Sequence, residues 1–138
     1  MALMDRRLPR ADVLLAIMGP PHISDMVTSA VRLAQALLER GATVHIWTCG
    51  HATGLTSAAL GDSKPRNVVN WSYDYPSGAA LAAELLDAFP DRLSWYSCRF
   101  CTEERGSAPH IARIKQRPPF KFTEHLDAVD SALFLGVC

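Results

Sequence analysis

Along the chain, apolar positions follow two rhythms, and each change of rhythm marks an element. The stretch "ADVLLAIMG" (11–19) is a continuous apolar run of strand length ending in glycine. Runs of this kind belong to strands buried on both faces, as in a parallel sheet. "PPHISD" reads as a turn, whose Ser24 or Asp25 can cap a helix by accepting a backbone N–H bond. Val27, Ala30, Val31, Ala34, Leu37 and Leu38 then recur at helical spacing, with Arg32, Gln35 and Glu39 off that face. Gly41 stops the helix, since glycine tolerates the left-handed conformation of a C-terminal cap. "ATVHIWTCG" (42–50) predicts a second strand, joined to the first by a right-handed crossover.

"HATGLTSAALGDSKPRN" (51–67) reads as a loop with one helical turn, and "VVNWSY" (68–73) as a short third strand. Ser77 can cap a helix through Phe89, with Leu81, Leu85 and Phe89 on one face and Pro90 beyond. "RLSWYSC" (92–98) is the next strand, and Arg99 to Arg105 a short helix closed by Gly106. "APHIARIKQRPPFKF" (108–122) reads as a basic, proline-rich loop. "TEHLDAVD" (123–130) is a short helix and "SALFLGVC" (131–138) a last strand. Strand and helix alternate without repeat or linker. The pattern predicts one α/β domain over 1–138, behind a polar leader at 1–10, with a mainly parallel sheet and helices on both faces.

The totals narrow the function. A chain of 138 residues, 49% hydrophobic and 20% charged, has the composition of one globular domain with its own core. Its formal net charge of zero gives no support for nucleic acid as a partner. No apolar run approaches a membrane span. Arg6, Arg7 and Arg10 before the run Val13–Met18 faintly resemble a signal peptide. The run is short, however, Asp12 interrupts its approach, and no small-residue cleavage site follows. A cytoplasmic protein is expected, whose four cysteines are thiols or metal ligands rather than structural disulfides.

In layered α/β folds, ligands bind beyond the carboxyl ends of the strands. Cys49 ends the second predicted strand, Cys98 a central one and Cys138 the last, and Cys101 lies one helical turn past Cys98. His22 follows the first strand and His51 the second. All four cysteines and two of five histidines are thereby assigned to one sheet edge. "WYSCRFC" (95–101) admits a redox pair, half of a zinc site, a sulfur-carrying thiol with a neighbour, or small buried residues. Thioredoxin-like domains carry C-x-x-C after an early strand, whereas here it comes two-thirds of the way along. Zinc could be held by Cys98, Cys101, Cys49 and Cys138, or by His22 or His51, though one C-x-x-C without a second is weak. "GPPH" offers few amide donors to a phosphate, and G-x-S-x-G is absent. His45 reads as structural, and His110 and His125 have no readable partner. Arg113, Lys115, Arg117 and Lys121 read as a solvated loop, one that could meet an acidic partner.

Two stretches carry a resemblance. "VLLAIMGPPHISDMVTSAVRLAQALLERGATVHIWTCG" and "LSWYSCRFCTEERG" are similar to the DsrE/DsrF/TusD family of sulfur-relay proteins, over nearly the whole chain. The resemblance implies a DsrE-like three-layer α/β fold without organic cofactor, assembled as a homo- or hetero-oligomer, a trimer or hexamer. It implies a cysteine that takes sulfane sulfur from a donor protein as a persulfide and passes it to an acceptor protein. Counting back from Arg105-Gly106 places Cys98 at that position. The residues after it, Arg99 to Glu104, are more polar than the family's, and Cys101 is additional. Cys101 could resolve the persulfide or join a metal site, so a zinc-stabilised or dithiol assembly subunit is the alternative. Arg99 would supply positive potential, and Trp95 and Tyr96 would wall the pocket. Trp71, Tyr73 and Tyr75 are candidate interface anchors.

Overall fold

The computed structural model describes residues 7–21, 25–64 and 75–136. The unbroken apolar run Ala11–Met18 forms strand β1, and Leu14, Leu15, Ala16 and Ile17 are all buried, as a central parallel strand requires. Helix α1 spans Asp25–Glu39 and buries Val27, Ala30, Val31, Ala34 and Leu38 along one stripe. Strand β2 covers Val44–Cys49. Residues 51–67 were expected to hold one helical turn. Instead Gly50–Thr56 and Ala58–Leu60 form two short 3-10 helices, the first burying Ala52, Thr53, Leu55 and Thr56. Helix α2 is Gly78–Ala88, and the Ser77 hydroxyl accepts from the Ala80 N–H as its cap. Strand β3, Leu93–Cys98, runs directly into helix α3, Arg99–Arg105, which Gly106 closes at φ 63°. Strand β4 is Ile114–Arg117, helix α4 Phe122–Asp127 and strand β5 Val129–Gly136.

The five strands are all parallel in the order β4-β3-β2-β1-β5. One face packs Val13, Leu15, Ile17, Val44, Ile46, Leu93 and Trp95 against α1 and α2. The opposite face carries Leu14, Ala16, Trp47, Tyr96 and Cys98, packed by Phe122 next to α4's His125. Helices therefore cover both faces, as the alternation predicted. Two expectations need correction. Residues 108–122 were read as loop, yet they contain β4. As an edge strand it pairs only with β3 and sends only Ile114 toward the core, so it shows no apolar run. The last strand begins at Val129 rather than Ser131, and the helix before it ends at Asp127, because Ala11 of β1 already pairs with Val129. The expected third strand at 68–73, with Trp71 and Tyr73, lies outside the described residues; Tyr75 is exposed.

The second core is unusual in composition. His45 and His125 are buried, and neither ring nitrogen of either has a hydrogen-bond partner among the described residues. Their neighbours are aromatic faces. The Tyr96 ring lies 5.4 Å from His45 and 4.9 Å from His125, and Trp47 lies 4.8 Å from His125. Burial, with Lys115 adding to it, pushes His45 down to about 4. Burial, then Arg117 and His45, does the same to His125. Both rings are neutral in the folded protein at neutral pH.

Gly136 is the last paired residue of β5, opposite Met18, and has φ 144°. A β-carbon there would run into the Met18 carbonyl, which is backbone and cannot swing away. Gly136→Ala is expected to cost about 1–3 kcal/mol. A urea titration that leaves the midpoint unchanged would contradict this.

Candidate functional site

Because every strand runs the same way, their last residues share one edge. The Thr48–Ser97 pair is the last rung between β2 and β3, so Cys49 and Cys98 end neighbouring strands. One turn into α3, Cys101 comes back over them. Its Sγ is 3.7 Å from that of Cys49, and the three sulfurs all lie within 4.8 Å of one another. The sequence assigned these cysteines to one edge; the fold brings them into contact. His22 and Cys138 lie outside the described residues. His51 is exposed, with its Nε2 3.3 Å from Arg105.

The thiols differ in setting. Cys98 is 1% exposed, and burial pushes its thiol up against the opposing pull of the Cys101 backbone N–H. Burial pushes the Cys49 thiol up to about 12, helped by its hydrogen bond to Cys101. Cys101 is half-buried. Burial raises it too, but the Gly50 N–H, the Cys98 and Cys49 thiols and the Arg105 guanidinium outweigh that and bring it below the ordinary thiol value. The group that ionises first is thus Cys101, with two protonated neighbours donating toward it.

The expected supporting residues are redistributed. Trp95 and Tyr96 cannot both wall one pocket, since successive strand residues face opposite sides. Tyr96 lies in the cluster with Cys98, whereas Trp95 is in the core under α1 and α2. Arg99 is exposed and paired with Glu103, so the cation acting on the thiols is Arg105. Sequence reasoning missed Arg105 and the Gly50 N–H. Their roles follow from where α3 ends and the 3-10 helix begins, and neither boundary singles them out in the sequence.

Beneath the thiols a polar chain fixes α3. The Ser97 and Thr102 hydroxyls are 3.2 Å apart, Thr102 lies 3.1 Å from His110 Nε2, and His110 Nδ1 lies 2.8 Å from the Thr56 hydroxyl. Thr53 and Ser107 add a contact at 2.9 Å. His110, which had no readable partner, therefore bridges two segments. Its substitution by alanine leaves two buried threonine hydroxyls short of a partner. We expect His110→Ala to lower stability by about 2–3 kcal/mol and to speed alkylation of the cysteines under native conditions. An unchanged alkylation rate would show that the chain does not hold α3.

A separate cleft of about 810 Å³ on the α4 side is lined by Arg10, Arg117, Lys121 and Glu124 among others. None of the three cysteines reaches it, and Arg10 and Arg117 are already paired with Asp130 and Glu124. The thiol edge is where reactive groups gather.

A five-stranded all-parallel sheet of this order, with helices on both faces and thiols at its carboxyl edge, has a DsrE-like fold. Among solved structures, the crystal structure of the ychN protein from E. coli, a protein of DsrE-like fold, is similar to it. The two share 20% sequence identity and superpose with a TM-score of 0.69, over 89% of this chain and 97% of that chain. At that identity the likeness is one of fold. No protein-family model and no curated protein matches the sequence.

Proposed function

We propose that this protein relays sulfane sulfur, holding it as a cysteine persulfide between a donor and an acceptor protein. The observation that carries the reading is three thiols, from two strand ends and one helix, within 4.8 Å at a single sheet edge. The acceptor is the reachable thiolate, Cys101, with Cys98 behind it. This reverses the order that the resemblance implies, because Cys98 is buried and its thiol is pushed up. The Cys101 thiolate attacks the terminal sulfur of a donor persulfide, the donor S–S bond breaks, and the donor leaves as a thiolate. A partner thiolate then repeats the step on Cys101. No organic cofactor enters this chemistry. A cytoplasmic location fits it, since thiols stay reduced there; among the described residues, no helix is long and apolar enough to cross a membrane. Intact mass after incubation with a persulfide donor tests the reading. One added sulfur, lost on reduction, is expected, and an unchanged mass rejects it.

The same reading includes assembly as a trimer or hexamer. Phe120, Phe100 and Phe134 are 70%, 52% and 57% exposed, and β5 is an edge strand bearing exposed Leu133. Aromatic surfaces of this kind favour interfaces. Sedimentation at micromolar concentration should show an oligomer, and a monomer alone would count against assembly.

A further inference from the structure

We propose that Cys49, Cys98 and Cys101 also form a binding site for a single Zn(II) ion, with water as the fourth donor. The inference uses the thiols of the sulfur reading without resting on it. Tetrahedral zinc with bonds of about 2.3 Å sets its sulfurs about 3.8 Å apart. Cys49 and Cys101 already stand at 3.7 Å, and no pair exceeds 4.8 Å, so small side-chain adjustments close the site. The ligands are also held from behind. Two end hydrogen-bonded neighbouring strands, and the third sits on a helix pinned through Thr102 and His110. Cys49 is the most telling member: in the sulfur relay it only donates a hydrogen bond toward Cys101 and forms no bond to sulfur, so its place as a third ligand is not explained by that chemistry.

Charge decides which ion. Three Cys–SH groups that bind aqueous Zn(II) release three protons and leave a net charge of −1, with the Arg105 guanidinium close by. Three thiolates around Cu(I) would leave −2 in the same half-buried place, which costs more to desolvate. Among the described residues, no fourth histidine, cysteine or carboxylate joins the group. Three protein donors and one water is the arrangement of zinc sites that exchange a ligand, as distinct from closed structural sites. On the sulfur reading the two occupants exclude each other, because each uses the lone pair of Cys101.

The test uses the full chain, reduced and freed of metal, under anaerobic conditions. Zn(II) is titrated against a chromogenic chelator, and Co(II) serves as the spectroscopic substitute. One zinc per chain is expected, together with an intense thiolate-to-cobalt charge-transfer band. Loss of an outer-shell partner alone weakens a metal site about 10–100-fold. Cys49→Ser, Cys98→Ser and Cys101→Ser should each therefore weaken zinc by at least about 100-fold. Cys138→Ser should leave affinity unchanged. The wild-type cobalt spectrum keeps the inference falsifiable even if a variant fails to fold: no charge-transfer band overturns it. Zinc affinity that survives Cys49→Ser, or falls with Cys138→Ser, also overturns the three-thiol site. Sulfur loading is measured separately on zinc-free protein. Loss of loading with zinc binding intact rejects the relay alone, and loss of zinc binding with loading intact rejects the metal site alone.

Discussion

Cys101→Ser should take up no sulfur from a persulfide donor, while Cys98→Ser still loads. The step needs a thiolate that a donor can reach, and a serine hydroxyl is scarcely ionised at neutral pH and forms no stable persulfide. Of the three thiols, only Cys101 combines partial exposure with an ionisation brought below the ordinary thiol value. Cys98→Ser keeps a hydroxyl that can donate toward Cys101, so the thiolate survives. Loss of a hydrogen bond to a charged group costs about 1.5–3 kcal/mol, and a conserved donor avoids most of that. Loading of Cys98→Ser should stay within roughly tenfold of wild type, since a tenfold change corresponds to 1.4 kcal/mol. Its persulfide should last longer if Cys98 is the thiol that attacks Cys101 to expel sulfide. Intact mass over time reads both effects. Loading that disappears in Cys98→Ser and persists in Cys101→Ser would restore the buried thiol as acceptor.

Acid should unfold this protein early, through two histidines rather than its carboxylates. Unfolded, each ring takes up a proton near pH 6.5; folded, His45 and His125 do so only near 4. Between those values the unfolded chain binds more protons, so stability rises with pH through the window. The contribution is fully present above about 6.5 and is lost as pH falls toward 4. At 1.36 kcal/mol per pKa unit, the loss is on the order of 3 kcal/mol for each ring. Two rings together rival the whole stability of a small domain. Among the described residues no hydrogen-bond partner meets their ring nitrogens: Tyr96, Trp47 and Phe122 pack against the rings, and Lys115 and Arg117 repel a proton. His110, also lowered by burial, steepens the fall. Urea midpoints between pH 7 and 4 should fall by about two protons' worth of slope or more, and His125→Leu should remove one proton from that slope. A flat profile from 7 to 5 would mean that these rings find partners for their charge.

The central strands were legible because burial on both faces leaves an unmistakable run, as in Val13–Met18 and in the stretch ending at Cys98. β4 was not, because an edge strand beside a single neighbour needs only Ile114 to point inward. The shared thiol edge was legible for a topological reason: in a parallel sheet every residue just after an apolar run lands on the same side. Which thiol ionises was not. That depends on how far α3 tilts Cys101 toward Gly50 and away from the interior that encloses Cys98, and residue type carries no sign of it. The pairing of Arg99 with Glu103, which left the electrostatic role to Arg105, was equally hidden, since both arginines flank the same short helix.

The place of β1 has a consequence for how the chain acquires its shape during synthesis. Its two neighbours are β2, close behind it, and β5, where Ala11 meets Val129. One side of the most apolar strand therefore stays open until residues 129–136 have been made. At about 5–20 residues per second, the interval between making β1 and making β5 is roughly 6–24 s. For that time the nascent chain presents an unpaired hydrophobic edge, and neither α1 nor the β1–β2 pair can cover it. Contacts this distant in sequence also slow folding, because a long loop must be ordered before they form. Newly made molecules should therefore be shielded by whatever binds extended apolar segments as they leave the ribosome, even though β2, β3 and α3, which carry the three thiols, are made well before β5.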